Sequence, residues 1–240
     1  MHTQKKKLIP SQSANKIHKK ILEILKKTVG MNISSPLHHD FKKAYNQFLN
    51  LFHQYQREVL IHNKFKKISC TNGCSYCCYH WVEDVNSFEG EIISSYIKHH
   101  FPEKIDHIIH VFKNDERELN ILNEIVEKKL YEQQLNREIT DIDSIDLLLA
   151  SYYQLKRPCA LLTDKKACSI YSVRPLTCRI YVSFSSPKRC RPEHIISNNI
   201  PTYLLDIEES ANKILDTLHI KFNRYNKTGL RSLLIDYLTE

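Results

Sequence analysis

The chain has 240 residues, 42% of them apolar, which is enough for one large folded domain or two small ones with a real core. The formal net charge is +8, but residues 1–30 alone carry eight lysines against the single acid Glu23, so the rest of the chain is close to neutral. That uneven spread argues against a nucleic-acid enzyme, which distributes basic residues over a groove-lining face.

No apolar stretch approaches the roughly 20 residues a transmembrane helix needs, and Leu8-Ile9-Pro10 is too short for the core of a secretory signal. A reducing, cytoplasmic setting is the expectation. There, closely spaced cysteines read as metal or redox chemistry rather than as a disulfide frame. Glycine is scarce, at four residues, and Glu, Lys, Leu, Ile, Asn and Gln dominate between the cysteines. The expected fold is therefore mainly α: an irregular helical domain with a small hairpin and loops around a cysteine-rich metal site.

In chain order, residues 1–12 read as a flexible basic start. A basic amphipathic helix is predicted over about Ser13 to Val29, with Ile17, Ile21, Ile24, Leu25 and Thr28 at helical spacing and Gly30 as its stop. Its apolar face suits packing on the body; its lysines also suit weak peripheral contact with an anionic membrane. Residues 1–35 are expected to form this arm and helix, and residues 36–240 a single helical cysteine-rich domain. After Pro36, Phe41, Tyr45, Phe48, Phe52, Tyr55 and Val59 step by four and three, a helix-packing stripe expected to run out near Lys66-Lys67. Ser87 is expected to cap a helix to about His100, and Pro102 to open the next. Helical periodicity continues through Ile105, Ile108, Ile109 and Phe112, through Leu119 to Leu130, and through Ile145 to Tyr152.

The pattern changes at Arg157-Pro158. Cys159-Ala160-Leu161-Leu162 and Ala167-Cys168-Ser169-Ile170-Tyr171 flank a polar turn and predict a short hairpin. Leu176 to Tyr181 predicts the start of a helix, and residues 182–200 a loop. Pro201 is expected to open a helix through Leu204, Ile207, Ala211 and Leu218, and Gly229 to Leu238 the last one. There is no internal repeat.

Seven of the eight cysteines lie in two segments. The first is Cys70-Thr71-Asn72-Gly73-Cys74-Ser75-Tyr76-Cys77-Cys78. At about 100° per residue, Cys70, Cys74 and Cys77 would share one face of a helical turn, while Cys78 points elsewhere and either completes a site from another direction or supports it. The second holds Cys159, Cys168 and Cys178, too far apart for a local knuckle unless the hairpin folds back. Structural zinc, an iron–sulfur cluster and unligated buried thiols are the competing readings. Seven thiols exceed the four that one zinc takes, which favours an iron–sulfur cluster or two metals. The central expectation is that the two clusters meet at a thiolate metal site. Arg174 and Arg179 flank the second segment and could offset thiolate charge. His80 is the best-placed histidine for a ligand. Cys190, in Lys188-Arg189-Cys190-Arg191, lies outside both segments and reads as a surface thiol activated by its basic neighbours.

The first segment's Cys-x3-Cys-x2-Cys spacing resembles the radical S-adenosylmethionine signature, but the chain lacks that family's alternating strands and helices. The whole pattern, and above all Cys168-Ser169-Ile170-Tyr171-Ser172-Val173-Arg174-Pro175-Leu176-Thr177-Cys178-Arg179, resembles the CxxCxxCC family of zinc- or iron-chelating domains (YkgJ-like). The extra residue between Cys70 and Cys74 departs from it. A branch of that family resembles flagellin lysine N-methylases, which implies S-adenosylmethionine with an iron–sulfur centre. The resemblance implies Cys70, Cys74, Cys77, Cys78, Cys159, Cys168 and Cys178 as ligands, with Tyr171, Arg174, Arg179 and His80 around them, and identifies no catalytic residue. The expected function is a cysteine-ligated iron–sulfur (4Fe-4S) or zinc centre. The alternatives are an S-adenosylmethionine-dependent, iron–sulfur protein-lysine methyltransferase-like enzyme acting on a protein substrate, and an interaction module with a purely structural zinc and the basic arm as its protein contact.

Overall fold

The aromatic stripe of the second helix and the aliphatic stripes of the later ones each need a partner surface, and they find two different ones. The computed structural model describes residues 8–63, 70, 73–135, 143–184, 186–191 and 202–240. It is mainly helical: α1 (Gln12–Val29), α2 (His39–His62), α3 (Ser87–His100), α4 (Ile105–Leu135), α5 (Ser144–Gln154), the single turn α6 (Thr177–Ile180), α7 (Glu209–Phe222) and α8 (Leu230–Thr239). Two three-residue strands, β1 (Tyr181–Ser183) and β2 (Thr202–Leu204), pair antiparallel with Val182 opposite Tyr203.

The first core gathers Ile21 and Leu25 of α1, the α2 stripe, and Ala211, Leu215 and Leu218 of α7. Phe41 meets Phe88 and Phe222 edge-on at centroid separations of 5.6 and 5.1 Å. These are geometries in which aromatic pairs attract beyond their area burial. The second core gathers Ile93 and Ile97 of α3, Ile108 and Phe112 of α4, and the apolar face of α8. α3 is the wall between the two. Phe88, at its start, faces the first core; Ile93 and Ile97 face the second.

The cysteine-rich segment 159–183 lies across this seam. Leu161 and Ile170 anchor it in the second core, and Leu176, Ile180 and Val182 in the first. Apolar anchors on both sides of Cys168 and of Cys178 fix a segment with little regular structure of its own.

The boundaries differ from expectation in three places. Asn86, not Ser87, is the N-cap of α3. Its N–H and side-chain amide both donate to Glu89 at 3.0 Å, while Ser87 ties α3 to α7 through His219. The helix expected from Pro201 starts only at Glu209, because Leu204 is paired opposite Tyr181 and the Leu205 N–H donates to Ile180 O at 2.8 Å. The hairpin at 159–171 is reduced to one antiparallel bridge, Leu162 with Cys168, closed by Thr163 N–H to Ala167 O at 2.8 Å. α2 ends at His62, and the expected end at Lys66-Lys67 lies outside the described residues. No described helix is long and apolar enough to cross a membrane.

Candidate metal centre

The two cysteine segments are joined by a backbone hydrogen bond: the Cys159 N–H donates to the Cys78 carbonyl at 2.8 Å. The strand-like stretch after the first segment is held on its other side. Leu230 N–H donates to Val82 O at 3.0 Å, Val85 N–H to Thr228 O at 2.8 Å, and the Thr177 hydroxyl to Asp84 O at 2.6 Å. Residues 78–85 are therefore clamped between the second cysteine segment and the start of α8.

The clamp leaves a cavity of about 180 Å³. Five thiols line it: Cys77 and Cys78 from the first segment, and Cys159, Cys168 and Cys178 from the second. Trp81, Leu161, Ile170 and Leu230 give the lining an apolar part. The Cys77 residue is exposed although its thiol is buried, and the other four residues are half-buried. Among the described residues, no three Cys, His, Asp or Glu side chains already stand at ligating spacing. The thiols surround the space without having closed on it.

The first segment is not one helical face. Gly73 takes φ +82°, a left-handed turn that only glycine enters freely, and the single helical turn begins beyond it at Tyr76. Cys70 and Cys74 consequently do not line the cavity, whereas the adjacent Cys77 and Cys78 both do. The expectation that Cys78 points away from Cys77 gives way to a hydrogen bond between their sulfurs. The Cys78 thiol donates to the Cys77 sulfur, which lowers the Cys77 pKa against the opposing effect of burial, with Arg174 assisting. The same bond, together with burial, raises Cys78. Burial is also the main cause that raises Cys159, Cys168 and Cys178. A cation entering this space must displace protons from several thiols, so its affinity rises with pH.

The remaining expected residues take distinct places. Arg174 lines the cavity, with its guanidinium 4.8 Å from the Tyr171 ring centroid, and its buried Nε has no hydrogen-bond acceptor among the described residues. Tyr171 is exposed and serves as the platform under Arg174. Arg179 is buried away from the cavity and binds carbonyls, with Nε donating to Arg174 O at 2.7 Å and Nη2 to Ser172 O at 3.2 Å. It thereby shapes the loop that carries Arg174. His80 lines the cavity and stacks on Tyr153 at 3.7 Å and 9°, and burial pushes its pKa down to about 4, so the ring is neutral near pH 7.

Sequence reasoning missed Arg231 and Asp115. Each is 1% exposed, and Arg231 Nε donates to Asp115 Oδ2 at 2.9 Å. Arg231 Nη2 donates to the Tyr152 hydroxyl at 3.2 Å, and the guanidinium lies 4.6 Å from the Trp81 ring centroid on the cavity wall. Its Nη1 is buried with no acceptor among the described residues. Burial works against the Arg231 charge, but Cys159 leads the neighbours that hold its pKa above the usual value. A signal was available: Asp115 continues the Ile108–Phe112 stripe of α4 by three residues, a charge at a core position. A charge there requires a buried partner.

The donor set fits a soft or borderline cation. Sulfur is the only abundant donor around the cavity, which suits zinc or iron–sulfur chemistry over magnesium or calcium. Two arginines with buried, unsatisfied N–H groups suit a centre whose thiolates carry excess negative charge. Among known proteins, no curated protein and no solved structure matches the chain. One family model does, CxxCxxCC, described as "putative zinc- or iron-chelating domain", over residues 69–198. That span is more than half of the chain and contains all eight cysteines. The chain belongs to the CxxCxxCC family of zinc- or iron-chelating domains.

Proposed function

We propose that the protein holds a cysteine-ligated iron–sulfur or zinc centre in the cavity between its two cysteine segments, with iron–sulfur the favoured form. The observation that carries this reading is the lining of one cavity by Cys77, Cys78, Cys159, Cys168 and Cys178, drawn from segments about 80 residues apart in sequence. Within it, Cys78, Cys159, Cys168 and Cys178 are the ligands that bind deepest, Cys77 is the thiol first able to ionise, and Arg174 and Arg231 offset the charge. His80, neutral and stacked, acts as a wall rather than a ligand. The centre, when bound, supplies either a rigid cross-link between the two cores or redox and Lewis-acid chemistry.

A second reading, an S-adenosylmethionine-dependent iron–sulfur methyltransferase-like enzyme, draws support from the apolar residues that line the cavity together with the sulfurs. Those residues would accept an organic cosubstrate beside the thiols. Saturable S-adenosylmethionine binding by the metal-loaded protein supports it; no binding at millimolar concentration removes it.

Metal and acid-labile sulfide analysis on protein purified without oxygen tests the main reading, together with the visible spectrum. About four irons and four sulfides with broad absorption near 400 nm identify a cluster. One zinc or two in a colourless solution identifies zinc sites. Folded, reduced protein that takes up neither metal overturns the proposal.

A further inference from the structure

A second cavity, of about 410 Å³, shares no lining residue with the cysteine cavity. One face of α3 builds one side of it: Glu91, Ser94, Ser95 and Lys98 stand at i, i+3, i+4 and i+7. Tyr237 of α8 and Arg224, from the turn between α7 and α8, line it as well. Its volume falls in the range that takes small organic ligands, about 300–1,000 Å³.

Two buried groups in this lining lack the partners that burial ordinarily demands. Glu91 is 8% exposed; its carboxylate accepts from the Ser35 hydroxyl at 3.1 Å and meets no cation among the described residues. Tyr237 is 1% exposed, with its ring edge-on to Tyr225 at a centroid separation of 4.8 Å, and its hydroxyl has no hydrogen-bond partner among the described residues. Buried charges are ordinarily paired, and a buried hydroxyl with no bond costs free energy. An ammonium answers both needs, because its three N–H donors can serve the carboxylate and the phenol oxygen together.

The exposed rim carries the opposite sign. Arg224 Nη2 is taken by Glu240 Oε1 at 3.1 Å. Lys98 is exposed, lines the cavity and pairs with no carboxylate among the described residues, so it is open to an acid group. A buried acceptor pair below an exposed cation selects a guest with charge at both ends.

We infer that this cavity binds a small zwitterion, with its ammonium on Glu91 and the Tyr237 hydroxyl and its carboxylate on Lys98. The site is separate from the cysteine cavity and does not depend on what that cavity holds.

Isothermal titration calorimetry of the full-length protein with straight-chain amino acids, from glycine to 6-aminohexanoic acid, tests this. The alkylamine and the carboxylic acid of matching length are the controls. At least one member of the series should bind saturably, about tenfold or more tighter than either control, and Glu91→Gln should weaken it by about the same factor. Tyr237→Phe, which keeps the ring, should also weaken it. Lys98→Met should bring its affinity down to that of the alkylamine and leave the alkylamine's own binding unchanged. Lys98 is exposed, so this variant still reads the site if Glu91→Gln unfolds. No saturable binding by any member at millimolar concentration overturns the site. Binding that survives both Glu91→Gln and Lys98→Met lies elsewhere and overturns it too. An alkylamine or a carboxylic acid that binds as tightly as the zwitterion overturns the two-ended assignment.

Discussion

Glu83 carries its carboxylate at the edge of the cysteine cavity, half-buried, where it accepts the Trp81 indole N–H. Burial raises its pKa above 4.5, outweighing that hydrogen bond. The folded protein therefore holds the Glu83 proton more tightly than the unfolded chain does. Its contribution to stability is fully present below pH 4.5 and is lost as pH rises through the folded value. Glu83→Gln keeps an acceptor for Trp81 and removes the titration. Thermal midpoints of wild type and variant should converge below pH 4.5, with the variant higher at pH 7; parallel curves across that range would contradict the assignment. The Asp115–Arg231 pair has larger consequences. Asp115→Ala leaves a guanidinium buried without its carboxylate, a change that typically costs about 3–5 kcal/mol. Urea unfolding should show that loss, and Arg231→Met added to Asp115→Ala should recover part of it. A loss under 1 kcal/mol would mean that the pair is not buried as described.

Between elements, α3 approaches α8 closely at Gly90. A Cβ added at Gly90 would sit 3.0 Å from Leu233 Cβ and 3.2 Å from Tyr237 Cε2. Gly90→Ala gains about 1 kcal/mol of helix propensity. It loses about 1–3 kcal/mol to overpacking against a helix whose apolar face is fixed in the second core. A net destabilisation of up to about 2 kcal/mol is expected from urea unfolding, with unchanged slope; a more stable variant would show that α3 and α8 can separate at little cost. The same contact matters for the site, because α3 and α8 frame the segment 82–85 that backs the cavity.

For the whole molecule, the organising feature is the seam between two cores with the cysteine segments laid across it. α1 belongs to the first core, with Ala14 and Ile21 fully buried against α2 and α7. Deleting residues 1–30 removes Ile21 and Leu25 and exposes the surfaces of α2 and α7 that they cover. At about 1.5–3 kcal/mol per fully buried aliphatic side chain, the loss is on the order of 5 kcal/mol, comparable with the whole stability of many domains. Broadened, non-cooperative thermal unfolding is the expected result; an unchanged midpoint would mean that α1 is a separable arm. The division into an arm of residues 1–35 and a domain of residues 36–240 is thus a proposal about sequence character, not about independent folding.

Much of this architecture is legible in the residues. Helical periodicity is a local property, written into every third and fourth side chain, so Phe41 to Val59 and Ile105 to Leu130 announce their helices. Cysteine density announces the site, because thiols are rarely clustered without a chemical reason. Other features depend on contacts between distant parts of the chain. The strand pairing that displaces the start of α7 to Glu209 exists only because Leu204 meets Tyr181. That Cys77 and Cys78 line the cavity while Cys70 and Cys74 do not goes with the left-handed turn at Gly73, and the turns Tyr76–Tyr79 and Pro187–Cys190 meet at the Tyr153 hydroxyl, which reaches a carbonyl of each. The sequence by itself determined the helices, the sulfur donor set and the family. Which sulfurs share a space, and that Arg174 lines it with them, was decided by tertiary structure, because burial and hydrogen bonding act through space and not along the chain.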